Sequence, residues 1–88
     1  MIIMDIYDFV GNIKTKDDFE NFMSMLIKDL KENRTDWENN ELEPFLDGIR
    51  RFTGVLDNYY NNAGIEADTS IPTWKMFAEM FLAAKVYE

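Results

Sequence analysis

Residues 15–30 read Thr15-Lys16-Asp17-Asp18-Phe19-Glu20-Asn21-Phe22-Met23-Ser24-Met25-Leu26-Ile27-Lys28-Asp29-Leu30. Thr15 stands where a helix N-cap belongs, and the acids after it suit the positive end of the helix dipole. Asp18, three residues on, takes the place of the capping-box acid, although Asp is shorter than the usual Glu. Phe19, Phe22, Met23, Leu26, Ile27 and Leu30 then recur at helical spacing and form one continuous apolar face. The pattern predicts a helix over residues 16–33 and sets the class of the whole chain.

Upstream, Ile6, Phe9, Val10 and Ile13 share one face of a short helix over 5–11, which Gly11-Asn12 ends. Ile2 and Ile3 are expected to extend as a stub against the core. Downstream, residues 34–40 form a polar link in which Trp37 plugs the end of the bundle. A third helix is expected over 41–61, starting near Asn40 with Glu43 as its capping-box acid and Pro44 in its first turn. Gly48 and Gly54 weaken it slightly and let neighbouring helices approach, and Gly64 is the expected left-handed cap. A loop over 64–72 leads to a last helix over 73–87, opened by Pro72 or Thr73. Trp74, Phe77, Ala78, Phe81 and Leu82 make its main face, with Trp74 and Phe81 as core positions. Met76, Met80, Ala83 and Tyr87 make a second stripe. A helix apolar nearly all round is central to its fold or carries an interface. No segment alternates with period 2. The expected fold is all-α: one domain over 1–88, a small bundle of three main helices plus a short N-terminal one.

Composition narrows the function. The 88 residues include two Trp, four Tyr, seven Phe and six Met, enough large apolar groups for a small core. There is no Cys and no His, which removes disulfides, thiolate nucleophiles, zinc clusters and the usual general base near neutral pH. Ser24 and Ser70 have no His to activate them. The glycines stand singly, so there is no phosphate-cradling loop. No cofactor and no enzymatic activity are expected. No apolar run approaches a membrane span, and Met-Ile-Ile-Met-Asp lacks the basic start of a secretory signal, so a cytoplasmic setting is expected. Nine Lys plus Arg against seventeen Asp plus Glu give a net charge of −8. That excess repels nucleic acid and anionic lipid and favours a basic protein partner.

The order of segments resembles a known family. Lys14-Thr15-Lys16-Asp17-Asp18-Phe19, Trp37-Glu38-Asn39, Leu42-Glu43-Pro44-Phe45-Leu46, Tyr59-Tyr60, Pro72-Thr73-Trp74-Lys75 and Ala83-Ala84-Lys85-Val86-Tyr87-Glu88 together resemble a family of small bacterial proteins classed as a domain of unknown function. Pro44 departs from the helix former expected there. The resemblance spans nearly the whole chain and implies a compact bacterial cytoplasmic domain. It carries no activity, so no residue inherits a catalytic role.

Several groups are candidates for function. Between Thr35 and Ile49 lie Asp36, Glu38, Glu41, Glu43 and Asp47, with no Lys or Arg among them. With Asp57 they offer a negative face that steers and registers a basic partner, with Trp37 or Tyr59 as an aromatic anchor. The competing reading is a solvated helix face, with Tyr59-Tyr60 and Trp37 belonging to the core or its rim. In bacteria one form such a protein takes is an inhibitor or immunity protein that masks a basic active site. The stripe of Met76, Met80, Ala83 and Tyr87 is either a homo-oligomer interface or buried beneath the N-terminal segment, leaving the chain a monomer or a weak homodimer. Glu66 and Asp68, and Asp17, Asp18 and Glu20, are oxygen ligands without the spacing of an EF-hand, and no metal is expected. Glu38 and Glu41 would need a cleft to act as a paired acid and base.

Overall fold

The structure, a computed structural model, describes residues 5–87. The described residues are all-helical: α1 (Ile6–Val10), α2 (Lys16–Glu32), a single 3₁₀ turn (Arg34–Asp36), α3 (Leu42–Gly54), α4 (Leu56–Asn62) and α5 (Trp74–Ala84). The stub expected at Ile2 and Ile3 lies outside them.

The start of α2 forms as its sequence predicts. The Asp18 backbone N–H donates to Thr15 Oγ1 (3.1 Å), and the Asp18 carboxylate accepts from the backbone N–H of Thr15 (3.2 Å) and of Lys14 (2.9 Å). The shorter acid therefore closes the box and binds one donor more. The backbone N–H of Lys14 is the main reason the Asp18 carboxyl is held below the usual carboxylate range. α1 is capped by Asp5, whose Oδ1 accepts from the Asp8 N–H (2.9 Å).

The third helix departs from expectation at both ends. Its N-cap is Glu41, in extended backbone and without a side-chain cap bond. The Asn40–Glu43 box does not form, because the helix starts one residue later; with Glu41 as the cap the third helical position is Pro44, which has no N–H for a box with Glu41. The single helix expected over 41–61 is broken at Val55, where φ is −112° and ψ is 15°. Gly54 is a poor helix former and Val55 is β-branched, so the ladder is weakest there. The break gives α4 its own direction and lets Leu56 and Tyr60 reach the core. α4 ends as predicted at Gly64 (φ 71°). The Gly64 N–H donates to the Asn61 carbonyl (3.2 Å) and the Ile65 N–H to the Tyr60 carbonyl (2.9 Å), a Schellman closure.

Thr73 caps α5, its Oγ1 accepting from the Met76 N–H (3.1 Å). The helix stops at Ala84 rather than Tyr87. The last residues turn back, with the N–H groups of Val86 and Tyr87 both donating to the Ala83 carbonyl. α5 packs on α1, α2 and α3 and is the central element. On one side Ala78 and Leu82 join Ile6, Ile13, Phe22, Leu26 and Trp37. On the other, Met76 joins Phe52, Leu56 and Tyr60. Both stripes of α5 are thus used inside the fold. Phe81 is partly buried between Phe19 (5.9 Å) and Phe45 (6.4 Å), but Trp74 is 38% exposed and leans on Phe19 from the rim. Trp74 is therefore not the core position the helical face suggested.

Candidate functional site

α2 and the start of α3 leave a groove between them of about 270 Å³. α2 lines it with Met23, Leu26, Ile27 and Leu30, and α3 with Leu42 and Phe45. Phe45 turns inward onto Trp37 (5.7 Å) and Phe81. Leu42 and Leu46, one turn apart on the outer side of α3, are 73% and 54% exposed, and Ile27 across the groove is 53% exposed. Ile27 and Leu42 line this groove, and Leu42 and Leu46 line a hollow that adjoins it.

Acids border it. Glu41 lines the groove, and a shallow hollow running on from it carries Glu43 and Asp47 beside Leu42 and Leu46. Two of these acids have cationic neighbours: Glu41 lies 3.6 Å from Arg34, and Asp47 lies 2.8 Å from Arg50 and 3.4 Å from Arg51. All of these pairs are solvent-exposed and hold their partners weakly. Asp36 and Glu38 are exposed on the link that leads into the groove. The structure thus brings Glu41, Glu43 and Asp47 together beside an apolar surface. It does not bring Asp57 or Tyr59 there: both are on α4, where Asp57 accepts from the Thr69 hydroxyl and Tyr59 rests on Phe52 and Tyr60.

Two expectations are corrected. Trp37 is not a surface anchor. It is 5% exposed, and its indole N–H donates to Asp29 (2.8 Å). The stripe of Met76, Met80, Ala83 and Tyr87 is not left free: among the described residues it has packing partners on α3 and α4. It packs against Phe52, Leu56 and Tyr60 of α3 and α4, with the Phe52 and Tyr87 rings 5.7 Å apart.

The most strongly organised polar groups were not visible as candidates. Lys85, 7% exposed, sits 2.9 Å from Asp29, 18% exposed, and donates to the Tyr7 hydroxyl (3.2 Å). Its ammonium also lies over the rings of Tyr7 (5.5 Å) and Trp37 (5.7 Å). Burial alone would raise the Asp29 pKa, but bonds from Lys85, Trp37 and Asn33 outweigh it and hold the carboxyl below its ordinary value. Burial would likewise lower that of Lys85, but Asp29 and then Tyr7 hold it above its ordinary value. Asn39 completes this end of the molecule. Its side-chain amide donates to the carbonyls of Ala84 (2.9 Å) and Tyr87 (2.7 Å), and its backbone N–H to that of Lys85 (3.0 Å). A Cβ at Gly48 would fall 2.9 Å from the Ala84 carbonyl oxygen, so glycine is what lets α3 approach here. The Trp37-Glu38-Asn39 segment and the Ala-Ala-Lys-Val-Tyr terminus therefore interlock and build the fold, and Trp37 and Asn39 also line one end of the groove.

A signal for Asp29 was present. It lies seven residues after Phe22 and three after Leu26, on the buried side of α2, where an acid needs an internal partner. Two of the carboxylates considered as metal ligands are engaged in local chain turns: Asp18 closes its cap, and Asp68 accepts from the backbone N–H and hydroxyl of Ser70. Among the described residues no group of three carboxylates comes together to hold an ion, and no helix is long and apolar enough to cross a membrane.

A family model described as a family of unknown function (DUF7660) matches residues 15–88, from the cap of α2 onward. Neither the curated proteins nor the solved structures include a match to the chain.

Proposed function

Because the chain belongs to this family of unknown function, which passes on no activity, we propose from its geometry that it is a non-enzymatic interaction domain. Its partner is a basic amphipathic helix of another protein, taken into the groove between α2 and α3, in a cytoplasmic setting. The observation that carries this reading is the exposed trio of Ile27, Leu42 and Leu46 bordered by Glu41, Glu43 and Asp47. An amphipathic helix presents apolar anchors at i, i+3, i+4 and i+7 with charged flanks, and Lys or Arg on those flanks meets the acids. Full burial of an aliphatic side chain is worth about 1.5–3 kcal/mol relative to full exposure. These three are half to three-quarters exposed, so covering them supplies about 3–5 kcal/mol before the losses of association, and the pairing of acids with basic flanks must add the rest. The surplus of acid steers the approach and disfavours nucleic acid. An inhibitor or immunity protein that covers a basic surface is one biological form of this activity. Met76 of the C-terminal stripe is buried and Met80, Ala83 and Tyr87 are partly buried in the protein's own core, which favours this reading over assembly through α5.

Fluorescence anisotropy with a labelled synthetic helix of Leu and Lys tests the reading, with the Leu/Glu helix of the same pattern as control. The Leu/Lys helix is expected to bind, more weakly as salt rises, and more weakly to Glu43→Lys. Equal binding of both helices, or of neither, would refute the proposal.

A further inference from the structure

Glu79 lies on α5 away from the groove and is 8% exposed. Its Oε1 accepts from the Tyr60 hydroxyl (2.9 Å). Among the described residues no Lys or Arg forms an ion pair with it. Lys75, one turn earlier, lines the hollow on the Tyr60 side without pairing with it. Among the described residues no fully buried side-chain oxygen is left without a partner; beyond the Tyr60 bond, the Tyr59 hydroxyl also lies close to the Glu79 carboxylate, and Glu79 lines the hollows on both of its sides. On the other side of the carboxylate, a hollow of about 320 Å³ is bounded by Tyr7 of α1, Phe52 of α3 and Tyr59 of α4. Leu82 and Ala83 floor it, and Val86 is at its rim. Tyr7 and Tyr59 are 57% and 40% exposed, whereas Phe52 is buried, so the aromatic walls run from surface to core. The Phe52 and Tyr59 rings stand 5.2 Å apart at 63°.

A buried carboxylate without a cation is unfavourable unless something else neutralises it. Aromatic faces around it attract positive charge and repel anions. The floor is apolar, which suits alkyl groups. We infer that this hollow binds an organic ammonium group, with Glu79 as the counter-charge and Tyr7, Phe52 and Tyr59 as its walls. The field of Glu79 already reaches its surroundings: burial first, and then the carboxylate, raise the pKa values of Tyr59 and Tyr60. The ammonium can come from a free amine or from a lysine side chain of another protein, and the chemistry of the site is the same for both. The inference is independent of the groove between α2 and α3, since the two hollows share no lining residue.

The test is an NMR titration read at the methyl groups of Ala83 and Val86. The probes are butylammonium, choline, N-acetyl-lysine amide and the uncharged 3,3-dimethylbutanol. The ammonium probes are expected to shift both methyls and saturate. The alcohol and the Glu79→Gln variant should each weaken binding about tenfold, the scale of a desolvated cation–aromatic or charge contact. The amide oxygen of Gln still accepts from Tyr60, so this variant keeps the fold. Tyr59→Leu, at the rim, should weaken binding without abolishing it. If the lysine amide binds like butylammonium, the site takes a protein side chain. If only the free amines bind, it takes a small molecule. Equal binding of the alcohol, undiminished binding to Glu79→Gln, or no saturating shift with any ammonium would overturn the inference.

Discussion

Removing the ammonium of Lys85 is the sharpest perturbation of the fold. Lys85→Met keeps most of the side-chain volume but leaves Asp29 without its cation. Asp29 is 18% exposed and retains the donors of Trp37 and Asn33. Water and those donors recover part of the loss, so the change should fall below the 3–5 kcal/mol typical of fully buried pairs, at about 2–4 kcal/mol. Asp29→Asn, which strands the ammonium between the rings of Tyr7 and Trp37, should act on a similar scale. The double variant removes both charges, and its effect should be smaller than the sum by about 1–3 kcal/mol. The pH dependence has a definite sign. Asp29 has a folded pKa below its ordinary 3.8, so its contribution is present above that value and is lost as pH falls through the folded pKa. Lys85 has a folded pKa above its ordinary 10.5, so its contribution is present below that value and is lost as pH rises through the folded pKa. Wild type should therefore hold this stability across the whole neutral range, and the double variant should lose less on acidification. Urea denaturation followed by tryptophan fluorescence measures all four proteins. Strict additivity, or a loss below about 1 kcal/mol for Lys85→Met, would refute the assignment of a coupled internal pair.

Other outcomes follow from the packing. Gly48→Ala drives a Cβ into the Ala84 carbonyl and should destabilise by about 1–3 kcal/mol despite alanine's better helix propensity. Gly54→Ala meets nothing within 4 Å and should stabilise by up to about 1 kcal/mol; thermal melts of the two variants should move in opposite directions. Phe22→Ala, at a fully buried position, should lose about 3–5 kcal/mol in chemical denaturation, and Trp74→Ala clearly less. Asn39→Ala leaves the Ala84 and Tyr87 carbonyls without their side-chain donor and should lose about 1–3 kcal/mol by the same assay.

The readable parts of the fold were those set by near neighbours. The Thr15–Asp18 cap and the Gly64 closure each depend on residues a few positions apart, so composition and spacing sufficed. α5 was legible as the central element because few helices are apolar on every side. The break at Val55 was not. The apolar stripe runs on through Leu56 and Tyr60, and periodicity reports which residues are buried, not whether the axis bends. The start of α3 misled because two acids flank Leu42: the helix begins one residue later than the Asn40–Glu43 spacing suggests, and Pro44 then denies Glu41 a box of its own. At the site, the acids were legible as a run of like charge. The groove that sets Glu41 and Leu42 across from Ile27 depends on how α2 and α3 are placed, which no local pattern encodes. Lys85 and Asp29 are far apart in sequence: the place of Asp29 on the buried side of α2 calls for a partner, but nothing local names Lys85 as that partner. Trp37 read both as the plug of the bundle and as an anchor; its burial and its bond to Asp29 decide for the plug.

The division of labour is then clear in physical terms. One end of the molecule is interlocked by Asn39, Gly48 and the Lys85–Asp29 pair, while the face beside it leaves Leu42, Leu46 and Ile27 in water with acids around them. The claim that this face receives a basic amphipathic helix is tested most directly by mapping the Leu/Lys helix onto the isotope-labelled protein by NMR. The account predicts shifts concentrated at Ile27, Leu42 and Leu46, abolished by Leu42→Asp while the fold persists. Shifts spread over α4 and α5, or undiminished in Leu42→Asp, would contradict it.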